Sequence, residues 1–388
     1  MNSKDKPINV FLPKFRTDEI LDEIKICLEK GWTGMGFKTN EFEKSWSDYT
    51  GLNYSHFLSS NTVGLHLSLE IFKIRFGWEK GDEIITTPLT FVSTNHAVLY
   101  SGFKPIFADV DDTLCLDPLS VLEKITDKTR AVIFVGIGGN AGNLDKIQKI
   151  CKDKKIKLIL DAAHMAGTFV NSKKPIHVGH EADVTVFSFQ AVKNLPTADS
   201  GMICFKDVKD LELCKKLSWL GIDKDTFSRT STTGSYKWDY DVPHDGFKYH
   251  GNSIMASIGL IQLKYLDEDN QRRNDICKLY DNLLSNESKI KKIETSEYTH
   301  KSSRHLYQVF SDELPRQKIL NHFYKNDIFP GVHYKDNRNY QMYGPLQDLP
   351  KVEYYSDKII SLPLHLNMTD SDVEKVTASL LGLISINE

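Results

Sequence analysis

Between about Tyr54 and Phe205, short β-branched or aromatic runs alternate with stretches of helical spacing. The runs His56–Ser60, Glu83–Thr87, Pro105–Val110, Ala131–Gly136, Ile156–Asp161, Asp183–Phe189 and Met202–Phe205 read as strands. Thr62–Phe72 and Leu144–Lys152, lying between them, carry the pattern of amphipathic helices. The segment Ala131-Val132-Ile133-Phe134-Val135 is apolar without a break, as a strand covered on both faces must be. Strand–helix alternation around such strands predicts an α/β domain built on a mostly parallel sheet.

The pattern changes after Phe205. Ser228–Asp245 is rich in Ser, Thr, Gly and Tyr, has no period, and reads as a long loop. A helix follows over Ile254–Leu284, and then a smaller α+β segment. With 388 residues the chain exceeds what one core usually serves, so two domains are expected, 1–245 and 246–388. A net charge of −3 gives no general attraction to nucleic acid or to an anionic membrane, so an anionic ligand needs a local site. The six cysteines form no CxxC pair and have no histidine cluster beside them. This spacing suits a reducing cytoplasm and points to no metal. Neither a signal peptide nor a run of about twenty apolar residues is visible.

Open α/β sheets collect ligands at the carboxyl ends of their strands, and four strand ends here carry polar chemistry. In Ser59-Ser60-Asn61-Thr62-Val63 a strand passes at once into a helix, whose free N–H groups favour a phosphate. A plain helix cap by Ser60 or Asn61 explains the same residues. Thr86-Thr87-Pro88-Leu89-Thr90-Phe91 brings an aromatic ring that suits stacking on a flat heterocycle, although a core role is the commoner one for Phe. Asp161 closes an apolar strand, where a carboxylate needs a cation or several donors. A protonated pyridine nitrogen is such a cation, and His164 is near enough in sequence to hydrogen-bond the same ligand. An Asp capping the next helix is the alternative. Finally, Ser188-Phe189-Gln190-Ala191-Val192-Lys193-Asn194 sets a lysine between a buried strand and a Pro/Ser/Gly loop. Desolvated there, its amine becomes nucleophilic towards an aldehyde, whereas most lysines of the chain are surface charges.

Taken together, the four sites hold a phosphate cradle, a ring platform, an acid for a ring nitrogen and an amine for an aldehyde. That set matches pyridoxal 5′-phosphate. The reading requires positions 161 and 193 to face the same space.

These motifs resemble those of the DegT/StrS-type aminotransferases of the aspartate-aminotransferase superfamily (fold type I), which aminate nucleotide-linked keto sugars. The resemblance spans nearly the whole chain. It includes Gly31-Trp32-Thr33-Gly34, Thr86 to Val92, Asp161-Ala162-Ala163-His164, Ser188 to Asn194, Gly246-Phe247-Lys248-Tyr249 and Ser361-Leu362-Pro363-Leu364-His365. It implies a large domain with a seven-stranded sheet, a smaller carboxyl-terminal α+β domain, and a homodimer with shared active sites. Lys193 would carry pyridoxal phosphate and move the proton between substrate and cofactor. Asp161 would pair with the ring nitrogen, His164 would sit near the phenolic oxygen, and Phe91 would stack on the ring. Thr62, Val63 and Ser188 would bind the phosphate, and Lys248 would reach into the neighbouring subunit's site.

The implied activity transfers an amino group, with L-glutamate as donor and pyridoxamine phosphate as the aminated form. The acceptor would be a nucleotide-linked keto-deoxy sugar of surface polysaccharide or glycoconjugate biosynthesis. A small phosphorylated ketone such as dihydroxyacetone phosphate is the alternative acceptor, and His333, Tyr334 and Lys335 would suit either. A sugar dehydratase on the same fold and a non-catalytic regulator are the competing classes. Lys193 stands against the dehydratase, because that branch carries histidine at this position. Asn61, Gly136, Gln190 and Lys248 depart from the family's usual residues, and these departures bear on the substrate more than on the chemistry.

Overall fold

The computed structural model describes residues 6–223 and 240–385. All seven expected strands form, within a few residues of the sequence-based bounds: β1 (Tyr54–Leu58), β2 (Glu83–Thr86), β3 (Lys104–Phe107), β4 (Thr129–Val135), β5 (Lys157–Asp161), β6 (Val184–Ser188) and β7 (Gly201–Phe205). They make one seven-stranded sheet in the order β1-β7-β6-β5-β4-β2-β3. Strands β2 to β6 pair in parallel, and β7 runs antiparallel to both its neighbours. The fold is therefore α/β with a mostly parallel sheet.

Burial on both faces is visible residue by residue. In β4, Val132 and Phe134 belong to one apolar cluster while Ala131 and Ile133 belong to another. Strand β5 divides in the same way, with Leu158 and Leu160 on one side and Ile159 on the other. Helix α1 (Asn61–Phe76) covers the second face through Leu65, Leu69 and Phe72. Alternation of side chains along a strand thus turns one apolar run into two cores.

The expected single helix over Ile254–Leu284 is instead two, α2 (Ser253–Lys264) and α3 (Leu266–Leu283). Its two halves serve different cores. Ala256 and Leu260 pack into the cluster beneath the large sheet, whereas Ile276, Cys277 and Tyr280 pack with Ile8 and with apolar residues running on to Ile384. A break at Tyr265 (φ −106°, ψ 0°) lets each half face its own core. The second core is completed by a small antiparallel sheet of Lys291–Lys292, Tyr307–Phe310 and Ile360–Leu362, and by helix α4 (Asp370–Ser385). Most of the expected loop Ser228–Asp245 lies outside the described residues. Among the described residues, no helix is long and apolar enough to cross a membrane.

Gly201 couples the sheet to the start of α1. A Cβ there would fall 2.7 Å from the backbone N of Asn61, the carbonyl C of Ser60 and the carbonyl O of Phe187. Backbone cannot rotate away as a side-chain tip can, so Gly201→Ala should cost about 1–3 kcal/mol. A thermal melt that leaves the midpoint unchanged would contradict this close approach.

Candidate active site

Asp161 ends β5 between Val135 of β4 and Val186 of β6. It is 4% exposed, and among the described residues it makes no ion pair. Three donors hold the carboxylate: Thr94 Oγ1 at 2.7 Å, Asn61 Nδ2 at 3.2 Å and the Ala163 backbone N–H at 3.2 Å. Burial raises its pKa, and these donors together with the charge of Lys193 oppose that rise. A buried carboxylate with donors but no cation suits a protonated ring nitrogen, which would supply the missing charge.

Lys193 lies in the loop after β6. Backbone bonds from Thr197 N to Phe189 O and from Ala191 N to Ala198 O shape this loop. Its neighbour Asn194 is buried and donates through Nδ2 to Asn270 Oδ1 and Ser303 O, both at 2.7 Å, which ties the loop to α3. Burial pulls the Lys193 ammonium down to about 8, partly offset by the charge of Asp161. The neutral, nucleophilic amine is therefore accessible near physiological pH.

A cavity of about 420 Å³ brings the two together. Its wall includes Thr62, Phe91, Asp161, His164, Ser188 and Lys193. Phe91 presents an exposed ring. Ser60, Thr62 and Ser188 place hydroxyls at the start of α1 and the end of β6, where a phosphate would meet both hydroxyls and the positive end of a helix. The carboxylate, amine, platform ring and hydroxyl cradle are compatible with pyridoxal phosphate.

Two of the expected residues are not on this chain's own cavity wall, and one of them, Lys248, is expected at the neighbouring subunit's site. Val63 is not part of the wall, and its N–H donates to Ser60 Oγ at 3.3 Å, the capping arrangement weighed as the alternative for this segment. Lys248 does not line the cavity of its own chain. Its Nζ sits 3.5 Å from the centroid of the Trp219 ring, and burial lowers its pKa.

The unusual residues acquire physical reasons. Asn61 bridges Asp161 and the Val186 carbonyl, a link a glycine cannot make. At Gly136 a Cβ would fall 1.9 Å from Sδ of Met165, which fills the room that a larger residue needs. Gln190 accepts from the Val192 N–H at 3.0 Å and so shapes the loop that carries Lys193.

Several residues that the sequence reading left out complete the site. Thr94 is the shortest donor to Asp161, and its place one helical turn after Phe91 was the only available hint. His305 lines the wall, stacks on Phe11 with ring centroids 5.2 Å apart, and has Nδ1 2.9 Å from Asn194 Oδ1. Of the acceptor candidates, His333 and Tyr334 line the wall, whereas Lys335 points to the Tyr340 ring. Burial, followed by the positive charge of Lys193, holds His333 down to about 4, and burial holds His164 and His305 well below the ordinary histidine value. All three are neutral at physiological pH.

The sequence matches the DegT/DnrJ/EryC1/StrS aminotransferase family over residues 15–381. It is 31% identical to the spore coat polysaccharide biosynthesis protein SpsC of Bacillus subtilis, covering 96% of each chain. The fold superimposes on PseC of Helicobacter pylori, an aminotransferase involved in the biosynthesis of pseudoaminic acid, with a TM-score of 0.90. That pair is 26% identical, covering 98% of this chain and 100% of the other. The sugar aminotransferase Spr1654 of Streptococcus pneumoniae, assigned that role as putative, gives 0.88 in its PLP form at 28% identity, covering 98% and 99% of the two chains.

The shared electrostatics of Lys193 and Asp161 have a measurable consequence. In cofactor-free protein, trapping of Lys193 by an aldehyde and borohydride should be half-maximal near pH 8. Asp161 holds the ammonium up, so Asp161→Asn should shift that midpoint downward. A midpoint that stays put or rises would show that the two groups do not share a field.

Proposed function

Because the chain belongs to the DegT/DnrJ/EryC1/StrS aminotransferase family, we propose that it uses pyridoxal phosphate on Lys193 to move an amino group from L-glutamate to the ketone of a nucleotide-linked keto-deoxy sugar. The observation that carries this reading is the placing of an amine of lowered pKa and a buried carboxylate that makes no ion pair among the described residues on one cavity wall.

When bound, pyridoxal phosphate supplies an aldehyde for amines and a ring that takes up the electron pair released at the substrate's α-carbon. Asp161 would keep a proton on the ring nitrogen, since its carboxylate is already held by three donors and lacks only a cation. Lys193 Nζ would hold the cofactor and, once displaced by an incoming amine, carry the proton from one carbon to the other. Phe91 would press on the ring face, while Thr62 and Ser188 would donate to the phosphate.

A sugar acceptor is favoured over a small phosphorylated ketone by charge. Among the described residues, Lys193 is the sole lysine or arginine of the wall, and His164, His305 and His333 are held neutral. A phosphate attached close to the reacting ketone would find no lysine or arginine beyond Lys193 on this chain's own wall. In a nucleotide-linked sugar the diphosphate can stay outside. The likeness to SpsC and PseC, whose names speak of spore coat polysaccharide and pseudoaminic acid, supports the same acceptor class. Lys248, directed away from its own cavity, supports a homodimer in which it serves the other subunit's site.

Lys193→Ala should abolish amino transfer in an assay coupled to 2-oxoglutarate formation, and a rate near wild type would overturn the assignment. A dehydratase would instead release water without consuming glutamate. The acceptor is tested by mixing the pyridoxamine form with nucleotide keto sugars and with small keto phosphates. Return of the cofactor's visible colour is expected with the sugars, and return with dihydroxyacetone phosphate alone would reverse the choice.

A further inference from the structure

His164 has both ring nitrogens engaged. The backbone N–H of Gly138 donates to Nδ1 at 3.1 Å, and Nε2 lies 3.0 Å from Tyr334 Oη. A peptide N–H cannot accept, so Nδ1 must present a lone pair. The other neutral tautomer and the imidazolium both put a hydrogen on Nδ1, facing the hydrogen of Gly138, and both are excluded. The ring therefore carries its one proton on Nε2 and donates it to Tyr334. Gly138 is itself held in place, because its carbonyl accepts from the His305 N–H at 3.1 Å.

The consequence falls on Tyr334. Its oxygen accepts from His164, so its own hydroxyl hydrogen is left without a partner among the described residues. Tyr334 lines the cavity that holds Lys193 and Asp161, and its ring is flanked by His333 at 5.1 Å and Phe91 at 6.0 Å.

We propose that Tyr334 is a binding residue whose O–H is a fixed donor to an anionic oxygen of the molecule held in this cavity, and that His164 is a positioning residue acting through it. Two such oxygens fit, the phenolic oxygen of the cofactor and a carboxylate oxygen of the amino donor. The inference rests on the proposed function only in naming these two sources. The tautomer chain is a property of the protein alone. Burial and then the charge of Lys193 reinforce it by keeping His164 neutral.

The first measurement reads the chain without reference to activity. With histidine labelled by nitrogen-15, His164 should show the Nε2–H form and should not titrate between about pH 5 and 8. A proton on Nδ1, or a titrating His164, would overturn the proposal even if the protein binds no cofactor. The second measurement separates the two sources with Tyr334→Phe, loaded with pyridoxal phosphate. A donor to the phenolic oxygen stabilises the anion, so its loss should raise the pH midpoint of the visible band by about one unit. A donor to the amino-donor carboxylate should leave that midpoint in place and raise KM for L-glutamate about tenfold. If neither quantity moves, Tyr334 is only a wall residue. Should Tyr334→Phe fail to fold, the nitrogen-15 result on the wild-type protein still decides between the two tautomers.

Discussion

A carboxylate at the end of a buried strand is the constraint on which this structure depends. Asp161 sits where burial penalises its charge, and the surroundings answer with donors rather than with a cation. Thr94 comes from the helix that follows Phe91, Asn61 from the start of α1, and Ala163 from the turn after β5. Two distant segments are thereby drawn to one strand end, and its own turn supplies the third donor. Each donor lowers the cost of the charge, and the remaining deficit is what makes the position receptive to a cationic ring.

Lys193 faces the complementary problem. Its ammonium is destabilised by the same low-polarity wall, and its loop must hold it there against the pull of solvent. Asn194 is the anchor, with its amide tied to α3 and to Ser303 and its carbonyl oxygen turned to His305. The break at Tyr265 contributes at a distance. It lets α2 pack beneath the large sheet while α3 turns to the second core and still offers Asn270 to the Lys193 loop.

The histidines of the wall show how a site can be polar without being charged. His164, His305 and His333 all lose their proton to burial, so positive charge is concentrated on one amine. A cavity arranged in this way offers hydrogen-bonding groups and ring faces while its own chain supplies one cationic side chain. Glycines 136 and 138 carry part of the arrangement, the first by leaving room for Met165 and the second by fixing the hydrogen-bond direction at His164.

The α/β class, all seven strands of the large sheet and the helix between β1 and β2 were legible in the chain, because burial on two faces leaves an unbroken apolar run that a local window detects. Asp161 stood out as a candidate because a charged residue at the end of such a run is costly, and Lys193 because it follows a buried strand within a Pro/Ser/Gly loop rather than on a solvated helix face. The pairing of side chains was not legible. Thr94 meets Asp161 across 67 positions, and Tyr334 meets His164 across 170. The split of the helix at Tyr265 was equally hidden, because continuous helical spacing says nothing about which core each half faces. Local patterns record how much of a residue is buried. Which partner it is buried against is decided only when distant segments close on one another, and that closure settled the donors of Asp161 and the proton on His164.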